Sequence, residues 1–366
     1  MSVTLPVSVG EALDKLTILD IKCDKIQDER RADCVLERDT LLKDLKSYID
    51  QFPWHYKILK EVNLTIWNLQ DNFHGKDITE IRAGQICTEI LKENDRRFRV
   101  KAKINNLLSS KLREQKGYAK KKAFFYGHLG LGDMFWMCGA VRYLATCYDQ
   151  VVVVCKNKYV RNVQQMYADD PTIILFPIVD DYIIQPFQTA AKPNIESNLG
   201  MTVYACGYHT TNPRIYEFPL SFYDDLKLDR SIRTEYFYVP TTDVAFELYH
   251  ELHKTKYFVV HQQSQNKTLP IWEKLFKEAP DVLILDLNTN HYDPSHPFYE
   301  KANLVVNKPL LDYKVLLENA AEIHLLESSV YCFASHLDLS KVSVKMCYDS
   351  FDNSNERIGV FKSATI

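Results

Sequence analysis

Apolar positions in the first third of the chain recur every three or four residues. Leu13, Leu16, Cys23 and Ile26 form one such row, with Asp20 in step, and Ser8 followed by Glu11 three residues on gives the capping box that opens a helix. Val35, Leu42, Leu45 and Ile49 repeat the row more loosely until Pro53 interrupts it, so two antiparallel helices are expected. Ile58, Val62, Ile66, Leu69 and Phe73 mark a third helix ending at Gly75, and Ile86, Ile90, Phe98, Ile104 and Leu108 a fourth. The stretch from Ser8 to about Leu112 therefore reads as a small helical bundle.

After Ala123 the period shortens. Ala123–Tyr126, Val151–Cys155 and Thr172–Phe176 are short runs rich in aromatic or β-branched residues, separated by helical patterns over Met134–Cys147 and Tyr159–Tyr167. That alternation predicts parallel β-α-β structure. Between Asp180 and Thr241 aromatics and prolines blur the pattern into an expected irregular region. It then resumes with strands at Tyr257–His261, Val282–Leu287, Leu304–Asn307, Ile323–Leu326 and Val342–Cys347. Helices are expected at Ile271–Lys277, Leu311–Glu318 and Ser329–Leu337. A chain of this kind is α/β, with two Rossmann-like halves after the helical module.

Bulk properties narrow the partners. With 366 residues the chain exceeds one ordinary core, and 46% hydrophobic against 25% charged residues suits a soluble globular protein. A net charge of -3 gives no global reason to bind nucleic acid. Nine cysteines, scattered and never spaced as C-x-x-C, suggest small buried side chains in a reducing compartment. No leader-like N-terminus and no apolar run of membrane-spanning length is seen, so a cytoplasmic protein is expected. One local exception is residues 96–122, where Arg96, Arg97, Arg99, Lys101, Lys103, Lys111, Arg113, Lys116, Lys120, Lys121 and Lys122 face only Glu114. Such a run either forms a solvated helix face or attracts a phosphate-rich surface, including peripheral contact with a membrane.

Three turns carry candidate chemistry. The first, GHLGLGD, follows the strand ending at Tyr126 and contains His128, Gly130, Gly132 and Asp133. Its glycines allow close backbone approach, and Asp133 is either the cap of the following helix or a functional acid. The spacing is not G-x-G-x-x-G, and no G-x-x-x-x-G-K-[ST] occurs. The second turn, after His261, is polar and bears Gln263, Ser264 and Lys267 before Pro270 at a helix start. Lys267 is either a phosphate neutraliser or an ordinary surface lysine. In the third, Glu327, Ser328 and Ser329 join a strand directly to a helix, as a serine cap or as a group of hydroxyl and N–H donors. His128, His261 and His324 are not spaced as metal ligands and read as strand-end residues.

The order of these turns resembles glycosyltransferases of the GT-B type, above all the heptosyltransferase-like group of family 9. Leu131-Gly132-Asp133-Met134 stands where that group has L-G-D-[VI], and Ala140-Val141-Arg142-Tyr143-Leu144 follows its helix pattern. Lys267, Pro270 and Trp272 are similar to its second motif. In the last motif Glu327 replaces an aspartate and Cys332 a histidine. Fucosyltransferases of the same architecture are close behind, since Ser328-Ser329 fits their D-S-S turn. The N-terminal VSVGEALDKLTILDIKCDKI resembles a small uncharacterised bacterial helical family.

The helical pattern sets apart a module over residues 1–115, for oligomerisation or partner binding, and the resemblance implies an acceptor-side domain over 116–242 and a nucleotide-sugar-binding domain over 243–366. It implies an inverting transfer from a nucleotide sugar to a glycan or lipid-linked acceptor, with Asp133 as general base. Gln263, Ser264, Lys267, Glu327, Ser328 and Ser329 would hold the donor, and His128, Gly130 and Gly132 would belong to the acceptor or phosphate loop. Neither cofactor nor metal is expected, in keeping with the absence of any D-x-D in the sequence. A sugar-nucleotide epimerase of the same fold, with Asp286, Glu318 or Glu327 as further carboxylates, is one alternative. A non-catalytic nucleotide- or glycan-binding protein is the other.

Overall fold

A computed structural model describes residues 5–73, 79–117, 119–179, 191–207, 218–264, 267–348 and 360–364. They fall into two compact units, one of Met1–Lys122, Leu144–Gln150 and Asp169–Thr172, the other of Ala123–Tyr143, Val151–Ala168 and Ile173–Ile366.

In the first unit, helices α1 (Val9–Lys25), α2 (Arg30–Gln51), α3 (Pro53–Phe73) and α4 (Glu80–Leu107) contact one another. Ser8 opens α1 as its spacing predicts, its hydroxyl accepting the Glu11 N–H at 3.3 Å. Leu13, Leu16, Leu19 and Cys23 are buried, and Asn63 of α3 donates to Asp14 Oδ1 and Thr17 Oγ1 at 2.8 and 2.9 Å. On α2 only Leu45 is buried, which accounts for its looser row of apolar positions. The predicted stop at Gly75 lies outside the described residues.

The basic run corrects a sequence expectation. Arg99, Lys101 and Lys103 are buried rather than on a solvated face, whereas Lys111, Arg113, Lys120, Lys121 and Lys122 are exposed as that reading expects. A buried charge needs a partner. Lys103 Nζ lies 2.5 Å from Asp170 Oδ2, Arg99 Nε 3.2 Å from Asp149 Oδ1, and Lys101 Nζ 2.7 Å from Glu11 Oε1 and 3.0 Å from Glu114 Oε2. Burial pulls the Lys101 ammonium down, and its bonds to Glu11 and Glu114 outweigh that and hold it above the ordinary lysine value.

The second unit carries two sheets. The first has the order β3-β2-β1-β4, from β1 (Lys122–Tyr126), β2 (Gln150–Lys156), β3 (Ile173–Ile178) and β4 (Met201–Ala205). β2 and β3 run parallel, with Val151 opposite Ile173. The second has the order β6-β5-β7-β8-β9, from β5 (Tyr257–His261), β6 (Leu283–Asp286), β7 (Glu322–Leu326), β8 (Val344–Tyr348) and β9 (Lys362–Ala364), and every pair is parallel. YFVVH is buried throughout, as a central parallel strand must be. In both sheets the chain first winds outward from a starting strand and then returns to its other side. The reversals fall between β1 and β4 and between β5 and β7.

Three expectations change. The region from Asp180 to Thr241 is not irregular where it is described: it contains α8 (Lys192–Leu199), β4, α9 (Phe218–Asp225) and α10 (Ile232–Glu235). Residues 180–190 and 208–217 of it lie outside the described residues. Leu304–Asn307 is not a strand but a turn after α13 (Tyr299–Asn303), closed by Asn307 at φ 54, whose N–H donates to the Leu287 carbonyl. A three-residue apolar run fits either period, and here the helix end won. The helix expected over Met134–Cys147 is two pieces, α5 (Leu131–Trp136) and α6 (Cys138–Cys147), parted at Met137. Gly130 rather than Asp133 holds the cap position of α5. Further helices include α7 (Val160–Met166), α11 (Asp243–Leu252) and α14 (Lys314–Glu318), and no helix among the described residues is long and apolar enough to cross a membrane.

Candidate functional site

The strand-order reversal between β5 and β7 brings the ends of both strands together, and ligands of parallel α/β sheets bind at such a point. His261 closes β5, and Ser328 follows β7. Ser328 Oγ lies 3.2 Å from His261 Nδ1. Burial drives the imidazole of His261 down to about 4, against the upward pull of Asp286, so the ring is neutral at pH 7.

After β5 the described residues 262–264 and 267–270 lie side by side. Gln263 bridges Thr268, and the Ser264 N–H donates to the Lys267 carbonyl at 2.8 Å. Their base is tied down by buried Gln262, whose Oε1 accepts the Trp272 N–H at 2.7 Å at the start of α12 (Ile271–Glu278). Trp272 stacks on His291, whose Nε2 lies 2.7 Å from Asp286 Oδ2. Lys267 is exposed at the far end of these braced segments. Ser328 opens α15 (Ser329–Ala334) and accepts the Tyr331 N–H, so its capping role is real, and its position beside the cavity comes in addition.

A cavity of about 1010 Å³ opens here. Its wall includes Gln263, Ser264, Lys267, Glu327, Ser328 and Ser329, which the sequence placed in two separate motifs. From the segments that follow β1 and β2 it takes Leu131 and Gly132 of α5 and Tyr159. Gly132 is required by close approach: a Cβ there would stand 2.8 Å from Cys332 Sγ. Phe135 and Phe333, with ring centres 4.9 Å apart, continue the contact between α5 and α15.

His128, Gly130 and Asp133 do not line this cavity. They gather at the other reversal, between β1 and β4. Asp133 Oδ2 lies 3.5 Å from His128 Nδ1, and His128 Nε2 lies 3.1 Å from the Gly207 carbonyl beyond β4. Gly130 leaves room for the Asp133 carboxylate, which a Cβ would meet at 2.5 Å. Of the further carboxylates, Glu327 alone is on the cavity wall, while Asp286 and Glu318 are not.

Sequence reasoning missed His261, Asn288, Thr289 and Asn307, all on the wall. Asn288 and Asn307 are legible only as polar residues just past apolar runs, and the second run was assigned to the wrong period. Arg142, part of the sequence motif after the first turn, is structural. It is buried between the Tyr167 and Tyr238 rings and donates to the Tyr238 and Met166 carbonyls at 3.1 and 2.6 Å. Among the described residues no group of three or more His, Cys, Asp or Glu could hold a metal ion.

No protein-family model matches the chain, and no curated protein matches it significantly. Among solved structures it is similar to the bacterial iron-containing dodecameric glycosyltransferase TibC from enterotoxigenic E. coli H10407, with 15% identity and a TM-score of 0.41 over 70% of this chain and 64% of that one. It is also similar to dodecameric iron-containing heptosyltransferase TibC in complex with ADP-D-beta-D-heptose, with 16% identity and a TM-score of 0.41 over 66% of this chain and 62% of that one. The chain thus spans less than two thirds of the length of both. Likeness at this level says nothing of chemistry, which has to be read from this chain's own residues.

Proposed function

We propose that the chain is a GT-B-type glycosyltransferase that moves a sugar from a nucleotide-sugar donor to a glycan or lipid-linked hydroxyl acceptor. One observation carries the reading: a single cavity at the β5–β7 reversal collects Gln263, Ser264, Lys267, Glu327, Ser328 and Ser329 opposite the turn that precedes Asp133. An ammonium and several hydroxyls suit a diphosphate. The sheet over 243–366 would hold the donor, and the one over 116–242 would present the acceptor.

In this reading Asp133 takes the proton of the acceptor hydroxyl, whose oxygen attacks the anomeric carbon from the face opposite the leaving group. The bond between that carbon and the diphosphate oxygen breaks, the nucleoside diphosphate departs with the electron pair, and the anomeric centre inverts. Lys267 and the serine hydroxyls stabilise the charge that builds on the leaving oxygen. A second reading, binding without turnover, draws on the position of Asp133 off the cavity wall.

Thermal melting with GDP, ADP, UDP, CMP and their sugar conjugates tests the donor site common to both readings. A ligand at one hundred times its Kd adds about 2.7 kcal/mol to stability, so a true donor raises the melting point clearly. If none of the panel does so, both readings fall.

A further inference from the structure

The first unit contains a cavity of its own, of about 220 Å³, formed where α4 meets the segments around Asp149 and Thr172. Its wall carries five cations, Arg99, Lys101, Lys103, Arg113 and Lys120, against two carboxylates, Glu114 and Asp149. The cations are not equally committed. Lys103 is matched by Asp170, and Lys101 by Glu11 and Glu114. Arg113 meets neutral acceptors, the Ser110 carbonyl at 2.7 Å and Asn106 Oδ1 at 3.1 Å. Lys120 is exposed and forms no ion pair among the described residues.

Arg99 is the decisive member. It is 4% exposed, and only its Nε reaches a carboxylate, that of Asp149 at 3.2 Å. Its Nη2 is buried with no hydrogen-bond partner. A guanidinium presents five N–H donors, and a buried charged donor left unfilled loses its hydration without a replacement. Beside a cavity lined by surplus cations, an unfilled guanidinium edge calls for an acceptor-rich anion. A phosphate group offers acceptor oxygens in the geometry a guanidinium fork takes up. A cavity of about 220 Å³ has room for one or two phosphate groups.

We infer that this pocket binds a phosphate-class anion through Arg99, Arg113 and Lys120, independently of the donor cavity. The phosphate comes either from a small soluble molecule or from an anionic lipid headgroup.

Titration calorimetry of the full chain with pyrophosphate, and flotation with phosphatidylglycerol or phosphatidylcholine vesicles, separates the sources. The background is Lys267→Met, which removes the donor-cavity lysine, so that failure of the proposed transferase reading leaves this result unchanged. Binding of pyrophosphate at one site per chain identifies a soluble anion. Capture by phosphatidylglycerol but not phosphatidylcholine vesicles identifies a headgroup. Lys120→Glu, at an exposed position, weakens the observed binding at least tenfold with an unchanged melting point, and Arg99→Gln abolishes it. Absence of both pyrophosphate binding and selective vesicle capture overturns the inference, as does binding that Lys120→Glu leaves intact.

Discussion

The two strand-order reversals of the second unit make opposite use of the same architecture. At β1–β4 the turn is filled: Asp133 occupies the space beside Gly130 and lies against His128, and Gly132 admits Cys332. At β5–β7 the turn is open, and its lysine and hydroxyls border a cavity of about 1010 Å³. A parallel sheet thus supplies a place for a ligand without deciding its chemistry. Side-chain volume and charge in the two loops decide which end holds an acid and which holds a donor-rich surface.

The comparison breaks most directly at Asp133. In a transfer assay Asp133→Asn lowers kcat by about 10²–10⁴-fold, the worth of a general base, with an unchanged melting point. A rate near that of the unaltered protein would return Asp133 to packing and require another group as the base.

The buried imidazole of the open turn predicts a smaller effect. His261 titrates near 4 when folded and near 6.5 when unfolded, so below pH 6.5 the unfolded chain binds a proton that the native site refuses. Stability from this group is therefore complete above pH 6.5 and declines by about 3 kcal/mol as pH falls to 4. Urea midpoints followed across that range should fall less steeply in His261→Gln. Equal slopes in the two proteins would mean that the ring is solvated.

The smallest effect separates the two turns by kinetic constant. Lys267→Met raises the donor KM about tenfold, the equivalent of ~1.4 kcal/mol from one exposed charge, with a lesser change in kcat. A loss confined to kcat would put Lys267 at the reacting bond instead.

Legibility in the sequence followed burial and locality. Tyr257–His261 was readable to the residue because a strand buried on both faces is written as an uninterrupted aromatic and β-branched run. The start of α12 after Pro270 and the capping of α1 by Ser8 were equally local. β4 was missed because MTVYA is half-buried and follows a helix carrying a proline, which reads as a break. Arg99, Lys101 and Lys103 were misread because their partners, Asp149, Glu11 and Asp170, are up to 90 residues away in the chain.

Periodicity, caps and breakers are set by neighbours within a turn or two, and so the sequence by itself determined the helical first third, the alternation after Ala123 and the membership of each candidate turn. Tertiary structure decided what those turns do together. The order in which strands enter a sheet places His261 beside Ser328, helix packing places Gly132 beside Cys332, and long-range packing determines whether a lysine is buried against a carboxylate or exposed on a cavity wall. Neither outcome is encoded within the reach of one helix or one hairpin.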